Sequence, residues 1–170
     1  PLSFRINDED RDITLGIESD GVTVSNETPK WSGGRLNVGI KSGKCYYEAT
    51  ILNKGIIRVG FSNASANLNL GTCSQGIGFG GTGMKSNSGK FESYGESFSK
   101  GDVIGVQFDA QNGGTVAYSK NGKYLGPAYT FSNFVGPYYP AISCKQGSVK
   151  LNIEGPFAHI PPARLGFVPI

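Results

Sequence analysis

The sequence predicts an all-β chain: an antiparallel β-sandwich of two sheets, about a dozen short strands and little helix. Three observations predict it. Apolar and polar residues alternate over short windows, the period of a half-buried strand. Turn signals such as Asp20-Gly21, Asn112-Gly113-Gly114 and Asn121-Gly122 recur between those windows, among 26 glycines and 9 prolines. No amphipathic stretch is long enough to be the crossover helix of a βαβ unit.

The elements follow in order. Residues 1–12 are polar and acidic and read as a tail or an edge segment. Ile13, Leu15 and Ile17 alternate as a strand, Asp20-Gly21 turns, and Val22 to Val24 returns. Trp31 precedes Ser32-Gly33-Gly34 and reads as a core plug. Residues 43–51 are the clearest strand, with Cys45, Tyr47, Ala49 and Ile51 on one face and Tyr46, Glu48 and Thr50 on the other. Ile57, Val59 and Phe61 point inward from the next strand, joined to it through Asn53-Lys54-Gly55, and Arg58 points out. Ala64 to Leu70 suits one helical turn. Ile77 and Phe79 are strand-like, and Phe91 to Tyr94 returns after Asn87-Ser88-Gly89-Lys90. Residues 101–109 form a buried strand, 115–119 follow it, and 123–125 and 128–131 continue the meander. Tyr138 to Cys144 and Ser148 to Ile153 make the last hairpin. Pro156, Pro161 and Pro162 exclude a long terminal helix.

At 170 residues the chain is one domain by size. It divides into a polar extension over 1–12, a sandwich over 13–155 and a proline-rich extension over 156–170. No apolar run approaches a membrane span. The chain begins at Pro1 rather than methionine, which suggests a piece of a longer protein. Cys45, Cys73 and Cys144 form no C-x-x-C pair and read as free thiols of a reducing compartment. Net charge is +3, unevenly spread. Residues 31–90 carry Arg35, Lys41, Lys44, Lys54, Arg58, Lys85 and Lys90 against Glu48 alone, which makes them a candidate face for an anionic partner.

The densest glycine run, residues 76–86, matches G-x-G-x-x-G at Gly78, Gly80 and Gly83, and a P-loop apart from Met84. Both motifs require a helix to follow the glycines, so that its N-terminus faces phosphate. The residues that follow, Met84 to Gly89, have loop chemistry, so neither motif stands. A weaker expectation survives: exposed backbone N–H groups beside Lys85 that cradle an anion without a helix. Catalysis has little material. His159 is the one histidine and sits in the proline-rich tail. No cysteine, histidine or carboxylate cluster has metal-ligand spacing. No catalytic residue, metal or cofactor is therefore assigned.

The ordered strands resemble the SPRY family, a β-sandwich interaction module. Five pieces carry the resemblance: Gly43-Lys44-x-Tyr46-Tyr47-Glu48; Arg58-Val59-Gly60-Phe61-Ser62; Tyr94-Gly95-Glu96 leading to Gly101-Asp102-Val103-Ile104-Gly105; Tyr118-Ser119-Lys120-Asn121-Gly122 with Leu125-Gly126-Pro127-Ala128; and Tyr139-Pro140-Ala141. Within the family the chain resembles the SPRY domain inserted in the core of a DEAD-box RNA helicase. That likeness rests on Trp31-x-Gly33-x-Arg35-x-x-x-Gly39, Leu68-x-Leu70-Gly71-Thr72 and the 76–86 glycine run. The helicase ATPase motifs are absent, so the resemblance implies a module without ATP hydrolysis of its own. It implies a monomer at work in nucleus and cytoplasm, with a protein partner on loops at one end of the sandwich. RNA, or the other lobes of a parent helicase, are the alternative partners. Where family members that bind short peptides place a Val-Trp-Gly-like step, this chain has Lys145-Gln146-Gly147, a more polar and positive surface. The expected partner-binding residues are Arg35, Arg58, Gly80, Gly81, Thr82, Lys85, Tyr94, Lys145 and Gln146.

Overall fold

A computed structural model describes residues 4–53, 55–132, 136–159 and 168–170. Lys54, Pro161 and Pro162 lie outside the described residues. The strands in chain order are β1 (Ile6–Arg11), β2 (Gly16–Ile17), β3 (Thr23–Asn26), β4 (Ser32–Leu36), β5 (Lys44–Ile51), β6 (Ile56–Asn63), β7 (Gly76–Gly80), β8 (Met84–Asn87), β9 (Lys90–Ser93), β10 (Val103–Asp109), β11 (Thr115–Lys120), β12 (Lys123–Thr130), β13 (Tyr138–Lys145), β14 (Gly147–Asn152) and β15 (Val168–Pro169). Among the described residues the only helix is a 3-10 turn, Ala110–Asn112, capped by the Asp109 side chain.

Two sheets result. The first runs β1-β4-β13-β6-β7-β8-β9; the second runs β12-β11-β10-β5-β14-β3-β2, with β15 added parallel to β5. Among the described residues every other strand pairing is antiparallel. Period-2 alternation sends Ile57, Val59 and Phe61 of β6, Ile77 and Phe79 of β7, and Ile104, Val106 and Phe108 of β10 into one core. Phe61 stacks on Phe108 at 4.6 Å, and Phe79 lies 5.1 Å from Tyr118. Two of the buried phenols are satisfied across the sandwich: Tyr47 donates to the Gly60 carbonyl at 2.7 Å and Tyr118 to the Val59 carbonyl at 2.9 Å.

Two local expectations are corrected, and of the two readings given for the acidic start the edge segment holds. The first strand shrinks to Gly16–Ile17, because the chain turns at 12–15 with Leu15 N–H donating to Asp12 O, and Ile13 is left 93% exposed. Six residues of the acidic start join the first sheet as edge strand β1. Residues 64–70 form turns rather than helix, and the carbonyls of Ala64, Ala66 and Leu70 accept from arginine side chains instead of helical amides.

Those turns belong to a strap, residues 64–72, that lies flat on the outer face of the first sheet. Glycines make the room. A Cβ on Gly33 would stand 1.9 Å from the Leu68 carbonyl oxygen, and one on Gly78 would touch the Leu70 side chain at 3.3 Å. Leu70 is buried as a result. On the outer face of the second sheet, residues 157–159 of the tail lie over β5. Glu48 of β5, only 1% exposed, accepts the backbone N–H groups of Ala158 and His159 at 2.8 Å each and the Tyr46 hydroxyl at 3.0 Å. The His159 carbonyl lies 2.8 Å from the same Tyr46 hydroxyl, whose one proton the two acceptors share, and Phe157 packs edge-on against the Tyr46 ring.

Candidate partner surface on the first sheet

The strap covers only part of its sheet. On β6, residues 56 and 58 face away from the core, and they mark where the cover ends. Arg58 stands at the border. Its Nη1 donates to Asn69 Oδ1 at 2.9 Å and to the Leu70 carbonyl at 3.3 Å, which pins it to the strap. Its guanidinium carbon lies 4.0 Å from the Trp31 ring centre and 5.0 Å from that of Phe91. A stripe Trp31–Arg58–Phe91 thus runs across the strands beside the strap, with cation–π attraction on both sides. Burial holds the arginine pKa below its usual value, and the group stays charged. Trp31 is therefore half-buried at the surface and not a core plug. The strand puts residues 31, 33 and 35 on the outer face, where the arginine supplies its packing.

From Phe91 outward and around Ile56 the face is open. Ile56 is 46% exposed, Met84 38% and Phe91 51%. Ile56 pairs in register with Lys145, and both reach an open depression of about 510 Å³ lined also by Asn53, Gly55, Lys100 and Gln146. Gln146 takes a left-handed backbone, φ 51°, in the β13–β14 turn. Asn53 Oδ1 holds that turn by accepting the Ser148 N–H at 2.8 Å. Gly55 lets the two loops meet, since a Cβ there would stand 2.1 Å from the Gln146 carbonyl oxygen.

The expected residues separate. Arg58, Lys145 and Gln146 belong to this open face. Gly80 and the 81–83 turn border it, and Thr82 is exposed there. Arg35 does not join them. It is 4% exposed, and its five N–H donors meet five acceptors: Asp10 twice, Ser62, and the strap carbonyls of Ala64 and Ala66. Lys85 faces the other way, because it alternates with Ser86, which lies under Gly71. Its Nζ donates to the Ala128 carbonyl of β12 at 2.8 Å. The anion cradle beside Lys85 does not form either, since Gly81 N–H is given to Ile57 O and Gly83 N–H to Gly80 O. Tyr94 packs its ring on Phe79 and donates its hydroxyl to the Gly126 carbonyl, and burial raises its pKa. Lys44 sits on the second sheet against Asp109. The bases of residues 31–90 form no single patch among the described residues.

Sequence reasoning missed Ile56, Met84, Phe91 and Lys100. Ile56 had a signal, since it shares parity with Arg58. Phe91 and Met84 had none, because only the strand order brings β8 and β9 beside Arg58.

A sequence model of the SPRY domain matches residues 44–156. The chain belongs to the SPRY domain family. It is 43% identical, over 84% of its length, to the ATP-dependent RNA helicase Ddx1 of Drosophila melanogaster, and 40% identical, over 97%, to the ATP-dependent RNA helicase DDX1 of Xenopus laevis. It covers 20% and 22% of those proteins, so this SPRY chain spans about a fifth of the curated relatives it matches. A heterogeneous nuclear ribonucleoprotein U-like protein 2 of Homo sapiens is 32% identical over 81% of the chain, which covers 21% of that protein. Among solved structures, the SPRY domain of human HERC1 superimposes with a TM-score of 0.74 at 19% identity, covering 86% of this chain and 96% of that one. The expected sandwich and the likeness to a helicase SPRY segment both hold. No helix among the described residues is long and apolar enough to cross a membrane.

Proposed function

We propose that this SPRY domain is a non-catalytic interaction module of an RNA helicase akin to its relatives, and that it seats a protein partner on the open part of the first sheet's outer face. One observation carries the reading. The strap covers part of that face, and the uncovered part gathers exposed Ile56, Met84 and Phe91 around Arg58 and Lys145. Exposed apolar side chains gathered on one face, with a charged rim, mark an interaction site. Single-stranded RNA is the weaker reading. Arg35 and Lys85 are spent on internal acceptors and the Tyr94 ring is packed, which leaves few phosphate contacts and no stacking platform at those positions. By analogy with its relatives the module works in nucleus and cytoplasm, and a lobe of the parent helicase is one candidate partner.

The test compares proteins retained from cell extract by the wild-type chain with those retained by Ile56→Asp and by Phe91→Asp, identified by mass spectrometry. Loss of the same proteins from both variants supports the reading. Undiminished retention on both variants sinks it. RNA binding whose log–log salt slope approaches about −0.7 per phosphate contact replaces it with the alternative.

A further inference from the structure

Two arginines on one sheet face are treated alike by the fold, except in one respect. Arg35 and Arg58 both rise from the outer face of the first sheet, and both direct Nη1 at the strap, to the Ala66 carbonyl in one case and to Asn69 and the Leu70 carbonyl in the other. Arg35 then offers its remaining edge, Nε and Nη2, side-on to Asp10, with Nε–Oδ2 and Nη2–Oδ1 both at 2.7 Å. Arg58 has the same edge and nothing on it: among the described residues neither Nε nor Nη2 meets an acceptor, and no carboxylate pairs with it. We infer that the open edge of Arg58 receives an aspartate or glutamate of the protein partner, in the side-on geometry that Asp10 shows at Arg35. The inference rests on the protein-partner reading above and names the chemistry of that partner.

Three physical points carry it. The guanidinium is held by the strap and by two aromatic rings, so little side-chain entropy is lost when an anion docks. A fixed planar fork matches a carboxylate through two parallel charge-assisted bonds. The Trp31 and Phe91 rings, 4.0 and 5.0 Å from the guanidinium carbon, displace water beside the cation, which strengthens an ion pair along its edge. Apolar ground surrounds the site: Phe91 and Met84 on one side, Ile56 on the other. Lys145 and Lys100 extend the positive field into the depression. The partner segment is therefore an acid flanked by aliphatic or aromatic residues.

A displayed peptide library selected on the full chain tests this. Selected peptides are resynthesised with each Asp or Glu changed to Asn or Gln, and binding is read from the fluorescence of Trp31, the only tryptophan. The expected peptides carry one acid beside apolar residues. Exchange of that acid for its amide weakens binding roughly tenfold or more, and Arg58→Lys, which keeps charge but loses the fork, weakens it similarly. The peptide exchange decides the matter even where Arg58→Lys disturbs the strap. Peptides that lose affinity with Ile56→Asp but tolerate the amide exchange overturn the carboxylate inference and leave the protein-partner reading standing. Peptides indifferent to Ile56→Asp and Phe91→Asp, no enriched peptide at all, or binding of single-stranded oligouridylate alone, overturn both.

Discussion

Asp10 grips Arg35 side-on, through two 2.7 Å bonds, where the guanidinium is almost wholly buried. The pair ties edge strand β1 to β4, and through the other donors of Arg35 it fastens the strap to the sheet. Asp10→Ala leaves a buried cation without its counter-charge. The expected loss is about 3 kcal/mol of folding stability, the low end for a broken buried pair, because Asp10 itself keeps some solvent contact. Arg35→Lys should not preserve stability, since an ammonium cannot serve five acceptors. Urea unfolding of both variants checks this. A loss below about 1 kcal/mol would place the pair with ordinary surface bridges.

The glycines should be unequal in a way that sequence does not announce. Gly33 meets the Leu68 carbonyl at a hypothetical Cβ distance of 1.9 Å, whereas the nearest atom to a Cβ on Gly80 is 3.5 Å away. Neither has a left-handed backbone, so the difference is one of space alone. Gly33→Ala is expected to cost about 2–3 kcal/mol as the strap is pushed off the sheet. Gly80→Ala should stay within about 0.5 kcal/mol, because it adds contact without a clash. Equal melting temperatures for the two variants would mean the strap yields freely.

The thiols offer a chemical test of the same packing. Cys45 and Cys144 are buried, and desolvation pushes each pKa up to about 12. Thiolate is the reactive form, so both should resist a disulfide reagent in the native chain at mildly alkaline pH. Cys73, half-exposed beside the strap, should react alone. Mass spectrometry after labelling should find one modified cysteine natively and all 3 after denaturation. Native labelling of Cys144 would show that the first sheet opens.

Much of the sandwich was legible because alternation and turn chemistry are local. Tyr47 and Phe61 declare their faces in their own strands, and Asn121-Gly122 declares its hairpin. The covering of the two outer faces was not legible. Gly33 is a strand residue whose reason lies 35 positions away in Leu68. Arg35 and Arg58 read alike as surface bases, and only the strand order β1-β4-β13-β6 puts Asp10 against one and not the other. Trp31 read as core because a lone tryptophan usually is, and its guanidinium lid comes from another strand. Lys85 sits one residue off the parity that would have aimed it outward.

The tail supplies the last prediction. Glu48 read as an outward residue of β5, and it does face out, but the tail returns to bury it. Its two oxygens are the acceptors for the Ala158 and His159 amides and the Tyr46 hydroxyl. The matched SPRY segment ends at residue 156, so this contact lies just beyond it. Glu48→Gln replaces one acceptor by a donor facing donors, which should cost about 2 kcal/mol and free the tail. Hydrogen exchange should accelerate at the 158 and 159 amides while the β10 amides stay protected. Removing residues 156–170 from the wild type should cost at least as much, because it strips a carboxylate of its partners. In the shortened chain Glu48→Gln should then cost almost nothing, since the donors it would oppose are gone. The two changes are in direct contact, so a double-mutant cycle should show strong coupling. Simple additivity would mean that Glu48 stabilises the sheet by itself and that the tail merely lies across it.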